Sequence, residues 1–131
     1  MVGTSFTSLE EAENNLEAET SGRSFDEIQQ AAEAQWRESL SSIEVEGGTA
    51  EQRSIFYTAL YHSMLGPRPV NDVDGTYNGF AQSGVKHLSK GEEYYDDFSM
   101  WDTFRALHPL LTLIDPRRQE RICLLYTSSC V

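Results

Sequence analysis

Very little in this chain is basic. Ten Lys and Arg stand against 21 Asp and Glu among 131 residues, a formal net charge of −11 at pH 7, which argues against a nucleic-acid backbone or an anionic membrane as the main partner. Long apolar runs are missing too. No stretch approaches the ~18 residues of a membrane span, and Met1-Val2-Gly3-Thr4 opens without the basic and apolar regions of a leader peptide. Cysteine is scarce: Cys123 and Cys130 have no His or Cys at metal-ligand spacing around them, so they define neither a zinc site nor a disulfide framework. A phosphate loop, a dinucleotide-binding glycine fingerprint, a His-Glu-x-x-His helix and a nucleophile elbow are all absent, and the chemistries they carry lose their support. With 39% hydrophobic and 11% aromatic residues, what is present has the composition of one modest globular domain.

The order of elements is read from caps and periodicity. Val2 to Phe6 is a short β-prone run. Ser8 with Glu11, Ser24 with Glu27 and Thr49 with Gln52 each have the spacing of a capping box, in which side chain and backbone satisfy each other at a helix start. Behind the first lies a thin stripe of Leu9, Ala12 and Leu16. Behind the second, Ile28, Ala31, Ala32, Gln35, Trp36 and Leu40 recur at spacings of three and four, the clearest amphipathic helix in the chain. Ile43 to Glu46 reads as a short extended link before Gly47-Gly48. The third helix carries Ile55, Phe56, Ala59, Leu60, Ser63 and Met64, and Gly66-Pro67 must end it.

From Pro67 to about Tyr95 helical periodicity fails. Loops of that length in compact domains are usually functional or disordered. Within it Thr76 to Phe80 alternates enough for a short strand, as does Glu93 to Phe98, and the two are expected to pair as a small hairpin. Ser99 then caps a fourth helix carrying Trp101, Phe104, Leu107, Leu110, Leu111 and Ile114, which Pro109 should kink or divide. Asp115-Pro116 restarts a helix in the order of cap and then proline at the first position.

Two stretches place rings beside hydrogen-bonding groups: Phe56 to His62, and Phe98 to Arg105. An aromatic face suits the C–H patches of a sugar, and charged groups suit its hydroxyls, so Trp101, Asp102 and Arg105 supply the elements of a sugar contact. Three residues apart, Asp102 and Arg105 would be neighbours on one helix face. The competing reading makes Trp101 and Phe104 core residues, with Asp102 paired to Arg105 or capping the helix. His62 likewise reads as a ligand contact or as a core or capping histidine. Asp72-Val73-Asp74-Gly75 has the opening of a calcium loop without its later ligands, and an Asx turn closed by Gly75 explains it as well. Glu92, Glu93, Asp96 and Asp97 offer a carboxylate pair or a solvated acidic face.

Taken in order and spacing, Ile43 to Gly48, Phe56 to His62, Asp72 to Gly75 and Phe98 to Leu110 resemble glycoside hydrolase family 92, calcium-dependent exo-acting α-mannosidases abundant in gut Bacteroidota. The likeness runs from about Val2 to Ile122. It implies a mainly α chain: residues 1–7 as the last strand of a β-sandwich, 8–48 as a helical linker, and 49–122 as the start of an (α/α)₆ catalytic barrel, with a small hairpin in a long loop. It also implies an inverting mechanism with a Glu general acid and an Asp general base, and calcium on the mannose 2- and 3-hydroxyls. Those carboxylates and most metal ligands belong to later loops of a parent several times longer, so no residue here receives a catalytic role and none a metal. By resemblance, Trp101 and Asp102 line the terminal mannose subsite, with Arg105 nearby and His62 a further substrate contact.

After Ile122 the likeness stops. Cys123 to Ser128 resembles the translated end of a transposon used in preparing sequencing libraries, so residues 123–131 are read as a non-native tail, against the alternative of a genuine amphipathic helix end. The chain alone is then expected to be marginally folded, with apolar faces exposed and no mannosidase activity. Its partners would be a mannose-terminated glycan and the rest of its own chain, and the parent would be exported to the periplasm or cell surface. Two rival readings are another (α/α)₆ carbohydrate-active enzyme without calcium and a small acidic helical interaction module.

Overall fold

The computed structural model describes residues 1–79 and 83–128, with the side chains of 124–128 left aside. Among the described residues the chain is mainly α. Helices α1 (Leu9–Thr20), α2 (Phe25–Leu40) and α3 (Ala50–Met64) precede strands β1 (Thr76–Asn78) and β2 (Val85–His87), and α4 (Met100–Thr103), α5 (Leu107–Ile114) and α6 (Pro116–Ser128) follow. The backbone forms two compact units: residues 23–66, and residues 1–22 together with the described residues from Pro67 onward.

In the first unit, α2 and α3 begin where the capping boxes place them. Ser24 and Glu27, and Thr49 and Gln52, exchange both side-chain-to-backbone bonds. The Glu27 carboxyl is held below its usual range, first by the Ser24 backbone N–H and then by the Ser24 hydroxyl. Ile28, Ala31, Trp36 and Leu40 are half-buried along α2, and the Trp36 ring meets Tyr61 of α3 at 4.6 Å. Helix α3 stops at Met64, directly before Leu65-Gly66-Pro67. It buries Leu60, while Ile55 stays 64% exposed, so the inward face of α3 is narrower than its apolar content suggests.

In the second unit the Ser8 cap is only half a capping box. The Ser8 hydroxyl accepts from the Glu11 N–H, but the Glu11 carboxylate does not reciprocate, and its Oε2 is buried without a partner among the described residues. Residues 1–7 form no strand among the described residues, and side chains hold them instead. Asp72, 2% exposed, accepts from Ser5 Oγ at 2.9 Å, from Asn15 Nδ2 at 2.7 Å, from Thr76 Oγ1 at 3.2 Å and from the Thr7 hydroxyl. Burial alone would raise the Asp72 pKa, but the bonds from Thr7, Asn15, Ser5 and Thr76 outweigh it and hold the carboxyl below its usual range. Gly3 permits the close approach of this segment to α1, since a Cβ there would stand 2.1 Å from the Ala12 carbonyl oxygen.

The hairpin exists, but with a different partner from the one expected. β1 pairs antiparallel with β2, Tyr77 opposite Lys86, whereas the Glu93–Phe98 run makes a single bridge, Tyr95 to Pro69. Phe80, the expected end of the first strand, lies outside the described residues. The expected fourth helix is also divided, and not at Pro109. The chain leaves helical form after Thr103 and resumes at Leu107, so Pro109 falls in the first turn of α5, where a missing N–H costs nothing. Asp115 then caps the Pro116 helix as read, its Oδ1 accepting from the Arg118 N–H at 3.1 Å. Helices α5 and α6 pack as a pair around Tyr95, Leu111 and Ile122, with Phe98 and Leu107 against them.

Candidate functional site

The turn from Ser99 to Thr103 carries the residues that sequence reasoning favoured. Ser99 sits at its N-cap but makes no side-chain capping bond. Its carbonyl accepts the N–H groups of Asp102 and Thr103, each at 3.0 Å. Within this chain Trp101 is 83% exposed and Phe104 48% exposed. Asp102 is exposed beside Trp101 on the same turn. Arg105 lies past the end of α4, so the helical spacing of three no longer applies to it. No ion pair joins it to Asp102 among the described residues, and its guanidinium instead lies over the Phe104 ring at 5.5 Å. The result is an uncovered indole with a carboxylate at its side and a guanidinium one turn away, each open to an incoming polar ligand.

His62 is on the last turn of α3 and belongs to the other unit. It is exposed, with its ring 5.6 Å from that of Tyr61, and is therefore not a core histidine. The same unit holds a recess of about 830 Å³ beside Trp36, Leu40, Val45 and Tyr57. None of the four favoured site residues lines it. Its apolar floor on α2 is rimmed by Gln29, Glu33, Arg37, Ser41, Glu44 and Glu46.

Asp72, Asp74, Glu93 and Asp97 among the acidic candidates are bound within the chain. Asp72 is committed to four donors, and Asp74 closes an Asx turn by accepting from the Thr76 N–H at 2.8 Å and hydroxyl at 2.7 Å, with Gly75 at φ +93° completing it. Glu93 accepts from Tyr95 Oη and from Arg121 Nη1, both at 2.7 Å. Burial pushes its carboxyl up, but those bonds prevail and hold it low; burial and the Glu93 bond together hold the Tyr95 phenol well above its usual value. Asp97 accepts from Arg68 Nε and from the Arg68 backbone N–H, both at 2.8 Å. Among the described residues no group of three or more His, Cys, Asp or Glu could hold a metal ion.

Beneath the exposed turn is a buried polar line that sequence reasoning missed. His108, 8% exposed, has Nε2 2.8 Å from Thr103 Oγ1 and Nδ1 3.0 Å from Gln119 Oε1, with Phe98 edge-on at 5.7 Å. The sequence offered one signal: a histidine next to proline inside an otherwise apolar stretch, Leu107 to Ile114.

Comparison with known proteins agrees with this architecture. No curated protein sequence matches the chain. Among solved structures, the GH92 family glycosyl hydrolase ccman5 superposes with a TM-score of 0.83 at 29% identity, over 92% of this chain and 16% of its own. The family GH92 alpha-mannosidase BT3965 from Bacteroides thetaiotaomicron gives a TM-score of 0.86 at 30% identity over 95% of this chain, and so does its complex with mannoimidazole. The chain spans 16% of the length of these solved relatives. The profile of the glycosyl hydrolase family 92 catalytic domain matches residues 11–127, and with that match the exposed Trp101 turn, the hairpin and the helices fall into one frame: the chain belongs to glycosyl hydrolase family 92.

Proposed function

We propose that this chain is part of an inverting, exo-acting α-mannosidase that removes terminal mannose from glycans, and that the Ser99–Thr103 turn contributes to the subsite for that mannose. The observation that carries the reading is Trp101, 83% exposed with Asp102 beside it, in a chain of family 92. An indole face suits the apolar face of a sugar, while a carboxylate accepts two adjacent hydroxyl protons. Trp101 is thus the stacking platform and Asp102 the hydroxyl acceptor. Arg105 stands at the edge of the subsite.

Along the chain we assign residues 1–7 to the end of a β-sandwich, 8–48 to a helical linker and 49–122 to the start of the (α/α)₆ catalytic domain. The general acid and base belong to parts of the parent beyond these residues, as would most of the calcium ligands. The parent, on this reading, is exported to the periplasm or cell surface for glycan breakdown.

Two measurements test this. Saturation-transfer NMR of the 131-residue chain with methyl α-mannoside is expected to give a weak signal, with Kd on the order of millimolar, that disappears in Trp101→Ala. An equal signal in the variant would remove Trp101 from the site. Incubation of the purified chain with an aryl α-mannoside is expected to release no aryl alcohol, and sustained release would overturn the placement of the acid and base elsewhere.

A further inference from the structure

The turn that presents Trp101 and Asp102 cannot hold itself. α4 is a four-residue helix, and the conformational cost of a single helical turn exceeds what its few hydrogen bonds return. Its cap makes no side-chain bond, and its two central side chains face solvent. What reaches it from the packed α5–α6 pair is the line Thr103, His108, Gln119.

The protons on that line can be placed. Gln119 Oε1 has none to give, so His108 Nδ1 carries the N–H that bridges their 3.0 Å separation. With the proton on Nδ1, the ring's Nε2 is an acceptor, and the Thr103 hydroxyl 2.8 Å away must donate to it. That hydroxyl is also in donating position 2.9 Å from the Ser99 carbonyl, an oxygen that already accepts two backbone N–H groups, so His108 Nε2 is the less crowded of its two acceptors. Gln119, 9% exposed, directs its Oε1 to the histidine. The direction of donation is therefore fixed from α4 through α5 to α6.

We propose that His108 is a positioning residue for the sugar-facing turn: anchored to Gln119 through Nδ1, it receives the Thr103 hydroxyl through Nε2 and so fixes the turn on which Trp101 and Asp102 stand. The inference rests on the reading of that turn as a mannose contact. Packing of α5 on α6 depends on Leu111, Ile122 and Tyr95, so His108 acts on the turn more than on the helix pair.

The test uses the whole 131-residue chain labelled with ¹⁵N. Long-range ¹H–¹⁵N correlation of the His108 ring is expected to show the proton on Nδ1; a proton on Nε2 alone would overturn the assigned direction. Thr103→Val removes the hydroxyl at constant shape, and Thr103→Ser restores it. The valine variant should lower backbone order parameters over Met100 to Thr103 from a rigid value of about 0.85 to below ~0.6, and weaken the methyl α-mannoside signal roughly 3- to 10-fold. Tm should stay unchanged, and serine should recover both readouts. Unchanged order parameters in Thr103→Val, or no recovery in Thr103→Ser, would overturn the proposal even if His108→Leu fails to fold. If the unsubstituted chain gives no mannoside signal, the sugar reading fails, while the order parameters still decide whether His108 holds the turn.

Discussion

Residues 23–66 and the rest of the described chain reach order by opposite routes. In the first, α2 and α3 each open on a reciprocal capping box, all of it within three residues of the helix start, and Leu60 is the buried hydrophobic side chain. In the second, the local elements are weak: a one-turn helix, a hairpin of three residue pairs, and a first helix with half a box. Yet Tyr95, Leu111 and Ile122 close a core there, and Asp72, His108 and Gln119 are buried with partners from distant segments. Where short-range bonds define a helix, little tertiary support is present; where they do not, buried polar groups supply the definition at the cost of needing every partner in place.

The substitution with the largest expected effect on that contrast is Asp72→Ala. It leaves donors on Ser5, Thr7 and Asn15 without their shared acceptor, and should destabilise the second unit by about 3 kcal/mol, read as loss of dispersed amide signals from residues 5–22. Survival of those signals would break the comparison. Acid sharpens it. The folded Asp72 pKa lies below its unfolded value near 3.8, so its contribution is complete above that value and is lost as pH falls through the lower, folded one. A pH titration followed at the Asn15 side-chain amide should show release only below about pH 4.

Next in size is a cap. Thr49→Ala removes the oxygen that accepts from the Gln52 N–H and should cost α3 about 1 kcal/mol, seen as reduced helical circular dichroism at elevated temperature. Indifference to Thr49→Ala would mean that α3 is held by packing after all. The smallest effect is expected from Arg68→Ala. Its ion pair with Asp97 is largely exposed, and the Asp97 carboxylate keeps the residue-68 backbone N–H, so denaturant unfolding should shift by less than about 1 kcal/mol.

The same contrast explains what could be read in advance. The starts of α2 and α3, the stop before Gly66-Pro67 and the restart at Asp115-Pro116 depend on neighbours a few residues away, and all three stand. The β2 strand was missed because Val85, Lys86 and His87 are all exposed and carry no burial pattern, whereas Glu93 to Phe98 alternates more strongly. The gap between α4 and α5 was misplaced because a helix accepts proline in its first turn, and the chain restarts two residues before Pro109 to meet that condition. Trp101 and Phe104 at helical spacing are indistinguishable from core residues until exposure is known. His108 was legible only as a member of a motif, since its partners sit five and 11 residues away on other helices.

The Asp72 hub has a further consequence, in time. Asn15 precedes it by 57 positions and Ser5 by 67, so at ribosomal rates of about 5–20 residues per second the N-terminal segment waits roughly 3–13 s for its acceptor. A 12-residue α1 is marginal by itself in water. Made well before its acceptor, this segment is thus secured late, and in that interval it depends on solubility, which the acids of α1 provide, more than on structure.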